Sequence, residues 1–447
     1  MSSRSSSAAA SALLERVWAD LGIRPLGADD HLDAAGEVPL RSRLATAELA
    51  WSSVRALGLL TGIRTRPDPR RIAMAYRSDR VLTIDGTAPT VWAPLSGFWQ
   101  TADGWIRTHA NYPHHAAALR SALAVRHESS ADALEEAVRD RTADDVVDAI
   151  LAAGGLAVRV RSEQPAVDDE LRRSPLLQMQ RTLDRSTVNA TAITTAAGPT
   201  GAGARPLDGI RVLDLTRVIA GPVCTRSLAL LGADVLRLDP PHLPEPEWQH
   251  FDTGQGKRSA LLDARTEHFR ELLDHADVVV LGYRPSSLAR LGLLPADLLA
   301  RHPSLIVAEL SAWGRDQPDR AGFDSLVQAE SGIAEVESPD DIRPGVLPAQ
   351  ALDHSAGYLL AASIVAALRH RKATGGGWHI STSLRRVAAE LLTLPRRHEP
   401  QPMGEFDTAP HVAAFDIDGL RLTTARPALP GVEFAPPRRW GRDQPRW

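Results

Sequence analysis

Asp353 stands in the run Leu-Pro-Ala-Gln-Ala-Leu-Asp-His, immediately ahead of an apolar stretch at 356–371. An aspartate at that boundary reads as a helix N-cap, for which it is among the best residues. The same position favours an ionised carboxylate, by about 0.3–1 kcal/mol from the helix dipole. An ionised carboxylate is also what a carboxyl nucleophile requires. On the residues alone both roles stay open. The densest histidine patch is Thr-His-Ala-Asn-Tyr-Pro-His-His, with His109, His114 and His115. Three imidazoles could hold zinc, but a Tyr-Pro turn carrying surface histidines is the plainer reading, and no metal site is assigned. Residues 210–239 imitate a dinucleotide-binding unit: strand, loop, helix, strand, terminal acid. The loop, however, is Thr-Arg-Val-Ile-Ala-Gly-Pro, without the glycines that let a backbone approach a pyrophosphate. Gly254-Gln255-Gly256-Lys257 lacks a third glycine and a following helix, and there is no Walker A motif. Nicotinamide, flavin and P-loop chemistry are thereby set aside.

The elements that must position these residues are drawn from 447 residues, enough for two or three domains. Hydrophobic residues at 43% and charged residues at 24% are those of a soluble globular protein. A net charge of −4 argues against broad affinity for nucleic acid or acidic membrane surfaces. The one cysteine, Cys224, excludes an internal disulfide framework and a Cys-based zinc cluster. No apolar run reaches the ~20 residues of a membrane helix, the best (358–368) being about half that. The start, MSSRSSSAAAS, has no signal-peptide core, so residues 1–12 are expected to be a disordered tail of a cytoplasmic protein. Lysine occurs only as Lys257 and Lys372 among 51 basic residues, so arginine clusters carry no weight as binding signals.

Helical periodicity is expected at 11–21 and 44–60, then strands at 80–84, 91–98 and 105–108 around Asp-Gly turns. Helices follow at 116–125, 131–139 and 143–153, giving a small α+β domain over 13–166 with return helices. Residues 167–205 read as a linker. After it, continuous apolar runs at 210–215, 234–239, 277–282 and 305–310 predict strands buried on both faces, with helices at 222–231, 266–275 and 285–301. The fold class is therefore α/β: an open, mostly parallel sheet with helices on both faces, plus a smaller α+β domain. Helices at 356–371 and 384–394 complete a domain over 206–395. A Pro-rich segment, 396–447, holds one hairpin at 413–423. The helix 44–60 with the later strand RVLTIDG faintly echoes the helix 384–394 with the strand 420–423.

The stretch PLDGIRVLDLTRVIAGPVCTRSLALLGADVLRLDPP (206–241) resembles the opening of the class III coenzyme A transferases. That family comprises formyl-CoA transferase, carnitine-CoA transferase and α-methylacyl-CoA racemase. The likeness continues through GKRSALLD (256–263), ADVVVLGYRPSSLARLGL (276–293), LIVAELSAWG (305–314) and AGFDSLVQAESGI (321–333). It implies that Asp353 is the catalytic aspartate. It further implies that Val218 and Ala220 line the coenzyme site, while Leu262, Tyr283, Arg290 and Leu291 hold the adenine and phosphates. Coenzyme A and acyl-CoA would be substrates, with a carboxylic acid acceptor and no prosthetic group, nucleic acid or membrane partner. A homodimer is implied as well. Three departures accompany the likeness. Phe323 occupies the position of the racemases' histidine, which demotes α-carbon isomerisation to an alternative. The small-domain glycine loop of the transferases has no match, which keeps a non-catalytic acyl-CoA-binding protein as another. Finally, segments resembling the small domain and return (92–113 and 144–160) precede the sheet domain, as a permuted or partly duplicated chain would arrange them.

Overall fold

Short apolar runs alternating with helices pack as strands of one sheet, and the computed structural model, which describes residues 3–24, 37–125, 131–182, 205–400 and 406–447, joins four such runs with three shorter or mixed strands in a seven-stranded sheet. From edge to edge they are Gln178–Arg181, Trp378–Ser383, Ile306–Ser311, Val278–Leu281, Arg211–Leu215, Asp234–Asp239 and Arg258–Leu261. All pairings are parallel except the first, where Gln178–Arg181 runs antiparallel to Trp378–Ser383. One face buries Val212, Val278, Val280, Ile306 and Ala308 in the main core. The other packs Leu213, Leu215, Val279, Leu281 and Val307 with Phe269, Leu272 and Leu298 of its covering helices. The expected α/β class is what the chain adopts. After Arg211–Leu215 the next two strands add on one side, and Val278–Leu281 then returns to pair on the other. That reversal opens a crevice beyond the carboxyl ends of the two strands, where open α/β sheets bind ligands.

The helix Ala351–Thr374 runs through the main core, packed between Ala220–Leu230 and Thr46–Leu60. It is long and apolar enough to cross a membrane, yet it is almost wholly buried inside the protein. Its close crossing depends on Gly357, where a Cβ would stand 2.6 Å from the Ala220 carbonyl oxygen and 2.9 Å from Val223. The small unit is a three-stranded antiparallel sheet of Phe98–Thr101, Gly104–Thr108 and Ala157–Arg159. Its own core includes Ile106, Leu119, Leu134, Val138, Val146 and Ile150, drawn partly from the helices Pro113–Leu123, Ala131–Arg139 and Ala143–Ala152.

Several expectations need correction. Residues 3–12, expected as a tail, belong to the helix Ser3–Leu21, whose Ala9, Ala10, Leu13 and Leu14 are buried. An Ala-rich stretch with no glycine or proline before Gly22 can propagate a helix once it docks, and Thr46–Leu60 supplies the surface. These two helices join the main core, so the small unit is narrower than 13–166. Within the expected linker lie the end of the helix Pro165–Arg173 and the strand Gln178–Arg181; residues 183–204 fall outside the described residues. The strand expected at 80–84 shrinks to Thr83–Ile84, which pairs with Leu420–Ala425 of the C-terminal hairpin, so the two echoing strands meet in one sheet. The strand expected at 91–98 begins only at Phe98, because residues 91–96 form a loop pinned by Asn111.

Candidate active site

The loop between Arg211–Leu215 and Ala220–Leu230 turns so tightly that a Cβ on Gly221 would lie 2.4–2.6 Å from three atoms of Thr216. Within it Val218 adopts φ 73°, a left-handed conformation that a β-branched residue takes only when its surroundings impose it. Those surroundings are Glu245, whose carboxylate accepts from the Val218 amide (3.3 Å), the Tyr112 hydroxyl (3.0 Å), Arg217 (3.4 Å) and Arg237. Burial alone would push this carboxyl up, but the guanidiniums of Arg237 and Arg217 hold it below its ordinary range. Arg217 also lies over the Tyr112 ring, 5.1 Å from its centroid. One buried carboxylate thus ties the small unit, through Tyr112, to the strained loop at the sheet's carboxyl edge.

Two cavities meet there. The outer one, about 380 Å³, opens at the carboxyl ends of Arg211–Leu215, Val278–Leu281 and Ile306–Ser311. It is lined by Val218, Ala220, Tyr283 and Asp353, with cationic groups from Arg217, Arg284 and Arg320. The Tyr283 hydroxyl is buried and has no hydrogen-bond partner among the described residues, so it could meet a ligand's polar atom. The inner cavity, about 210 Å³, shares Tyr112, Val218, Ile219, Phe323 and Asp353 with the outer one and is roofed by residues 90–93. Asn111 fixes that roof, accepting from the Ala93 amide (3.0 Å) and the Ser96 hydroxyl (2.7 Å) while donating to the Val91 carbonyl (3.0 Å). The roof stands over the aspartate for which no glycine loop was matched.

Asp353 lies on the wall common to both cavities, but it is not a helix cap. The helix begins at Ala351, with Gln350 flanking it, so Asp353 is the third residue of the first turn. The capping acceptor comes from elsewhere: Asp324 Oδ2 accepts from the Asp353 amide at 2.9 Å. Asp324 is itself oriented by Gln328, whose other amide atom accepts from the Leu347 N–H at 2.8 Å. With the first-turn amide satisfied by Asp324, the Asp353 side chain is left to face the cavities. Its ionisation also differs from the sequence expectation. Burial and then the neighbouring Asp324 charge push the Asp353 carboxyl well up. Asp324 is pushed by burial to about 6, with the amides of Asp353 and Leu352 and the Gln328 side chain pulling against that rise.

Of the residues expected in the coenzyme site, Val218, Ala220 and Tyr283 meet Asp353 in the outer cavity. Leu262, Arg290 and Leu291 are not brought to it: Leu262 packs against the second core, Leu291 is exposed, and Arg290 donates to the Ser287 hydroxyl at 3.1 Å. Arg284, Arg217 and Glu245 carried no distinguishing signal among so many arginines and acids. The histidine patch is not a surface turn at its first member. His109 is buried and stacks on Phe323, centroids 3.7 Å apart and planes within 7°. Burial, then the nearby His115 charge, press its imidazole down to about 3, so it is neutral. Among the described residues no group of three or more His, Cys, Asp or Glu side chains is placed to hold a metal ion.

The sequence model of CoA-transferase family III matches residues 207–410. The chain is 36% identical over 264 residues to a probable fatty acyl-CoA transferase of Mycobacterium tuberculosis, covering 51% of this chain and 67% of that protein. It is 32% identical over 211 residues to a succinate–glutarate CoA-transferase of Agrobacterium fabrum, covering 42% and 53%. With a formyl-CoA:oxalate CoA-transferase of Afipia carboxidovorans it shares 30% identity over 224 residues, covering 45% and 53%. A crystal structure of the M. tuberculosis protein aligns at 36% identity over 42% of this chain and 56% of that one, with a TM-score of 0.39. The chain belongs to CoA-transferase family III. The matched part spans between about half and two thirds of these curated relatives.

Proposed function

We propose that the protein moves coenzyme A between carboxylic acids, with Asp353 as the nucleophile. The observation that carries this reading is the placement of Asp353 on the wall shared by a cation-lined outer cavity and a smaller inner one. The outer cavity would take the coenzyme's thioester end, with Arg284 and Arg217 near its phosphates, while Leu262, Arg290 and Leu291 could meet only a part of the coenzyme lying outside that cavity. An Asp353 oxygen attacks the thioester carbonyl carbon, the carbon–sulfur bond breaks, and CoA thiolate leaves a mixed anhydride. The thiolate then attacks the Asp353 carbonyl, releasing the donor carboxylate and forming an aspartyl-CoA thioester. An acceptor carboxylate attacks that thioester, and returning thiolate takes the acceptor acyl group, regenerating the Asp353 carboxylate. Each step needs water excluded, a condition the roof at 90–93 favours.

The relatives' names span fatty acyl, dicarboxylic, formyl and oxalate substrates, so family membership does not select the acids. We further read the protein as a cytoplasmic homodimer. Residues 109–115 stand beside Asp353 within one chain, which supports a permuted or duplicated family member whose first half completes the site built by its second. The isomerase alternative gains an imidazole from the His109–Phe323 stack, but an imidazole held near 3 is a weak base. Assaying CoA exchange between acyl-CoA and free acids, alongside deuterium wash-in at the α-carbon without acceptor, separates the readings. Exchange without wash-in is expected; wash-in alone would select the isomerase, and neither would select a binding protein.

A further inference from the structure

The inner cavity is small, and its charge is one-sided. At about 210 Å³ it is below the ~300–1,000 Å³ of sites that take drug-sized ligands. Three carboxyls line it, Asp79, Asp324 and Asp353, and no lysine or arginine does among the described residues. Arg80 and Arg77 act on Asp79 electrostatically, without lining the cavity. A reacting carboxylate loses its charge on joining Asp353, but a second carboxylate on the same molecule would keep its charge. It would lie desolvated among acids with no cation to meet it, an arrangement proteins avoid. The cavity is not simply apolar, however. His109 Nδ1 and the Ser325 hydroxyl belong to lining residues and are buried; among the described residues Ser325 finds no hydrogen-bond partner, and the His109 ring none beyond its own backbone. His109 is 5% exposed and Ser325 3%, so bulk water does not serve them. Asn111, by contrast, already has its amide oxygen and nitrogen engaged in holding the roof. Buried polar atoms left open in one cavity reward a ligand that brings a small group able to donate or accept there.

We propose that this cavity receives a short, uncharged acyl group bearing a hydroxyl, and excludes dicarboxylic and long-chain acyl groups. The assignment rests on the transferase reading, which places the acyl carbonyl at Asp353. His109 and Ser325 are then the residues that recognise the hydroxyl, and the roof at 90–93 sets the chain length.

The test is calorimetric binding to Asp353→Asn, which cannot turn substrate over, of 3-hydroxybutyryl-CoA, butyryl-CoA, succinyl-CoA and decanoyl-CoA. The hydroxybutyryl compound is expected to bind about tenfold or more tightly than butyryl-CoA, and succinyl-CoA and decanoyl-CoA more weakly than either. Equal or tighter binding of succinyl-CoA or decanoyl-CoA would overturn the assignment. His109→Phe in the same background keeps the ring stack on Phe323 but removes the nitrogens; Ser325→Ala removes the other open group. Each is expected to shrink the hydroxybutyryl-to-butyryl ratio several-fold with butyryl-CoA affinity little changed. A ratio unmoved by both would refute the roles given to them. The expected affinity order in a wild-type protein that transfers no CoA would sink the transferase reading and leave the cavity's specificity standing.

Discussion

Lys257→Met should break a fully buried salt bridge with a measurable consequence for the protein's stability. Lys257 Nζ lies 3.0 Å from Asp214 Oδ2 and 2.9 Å from the Pro222 carbonyl, and both side chains are essentially inaccessible. Asp214 also accepts from the Thr225 hydroxyl (2.6 Å) and from Thr216 through its amide (3.1 Å) and hydroxyl (2.5 Å), so it holds the loop that carries Val218. Removing the ammonium leaves a buried carboxylate without its cation, which costs about 3–5 kcal/mol, out of a total that is commonly about 5–15. Changing both partners, Asp214→Asn with Lys257→Met, should restore most of that loss, because the desolvation of the ions disappears together with their attraction. Urea unfolding at pH 7 reads the difference. A pH series adds a sign. Burial first, against the pull of Asp214, brings Lys257 down to about 8 from 10.5. Between those values the unfolded chain holds a proton that the folded protein has released, so this residue makes stability rise with pH over that window. The rise should vanish in Lys257→Met. A Lys257→Met protein within about 0.5 kcal/mol of wild type, the range of an ordinary surface change, would refute the reasoning.

Asp324→Asn keeps an oxygen for the Asp353 amide but removes the like charge; the acidic limb of the transfer rate, set by ionisation of Asp353, should move to lower pH, and an unmoved limb would show that the two carboxyls do not interact. Asp353→Asn should raise the unfolding midpoint, since the unfolded chain ionises this group near about 3.9 while the folded protein keeps its proton to higher pH, so stability now falls as pH rises through that interval; a lowered midpoint would restore its role as a cap. Tyr112→Phe removes a hydrogen bond to the Glu245 carboxylate and should cost about 1.5–3 kcal/mol, with KM for acyl-CoA raised because the Val218 loop loosens; denaturant titration and steady-state kinetics check both. Arg284→Ala should weaken CoA binding by about 1–3 kcal/mol if it meets a phosphate, and Arg290→Ala less, as calorimetry would show.

The sheet was legible wherever strands are buried on both faces, because runs such as Val278–Leu281 are continuously apolar. Arg258–Leu261, Trp378–Ser383 and Gln178–Arg181 went unread: they are short or mixed, and become strands only by pairing with neighbours already in place. Asp353 was singled out through a family resemblance, and of the two local roles the residues left open, the cap is not the one it fills in the structure. The group that caps its helix is Asp324, brought there by the fold and invisible to any local pattern. The same limit hid the stack of His109 on Phe323 and the convergence of Tyr112, Arg217 and Val218 on Glu245. Spacing shows what one element presents, whereas these contacts depend on how distant elements dock.

Incubating the wild-type protein with an acyl-CoA, quenching with hydroxylamine and mapping peptides by mass spectrometry tests most directly whether Asp353 becomes an activated acyl carrier. Only an activated carboxyl yields a hydroxamate, so the modification is expected on the peptide containing Asp353, absent without acyl-CoA and absent in Asp353→Asn. A hydroxamate on Asp324 instead, or CoA transfer that survives in Asp353→Asn, would contradict the mechanism.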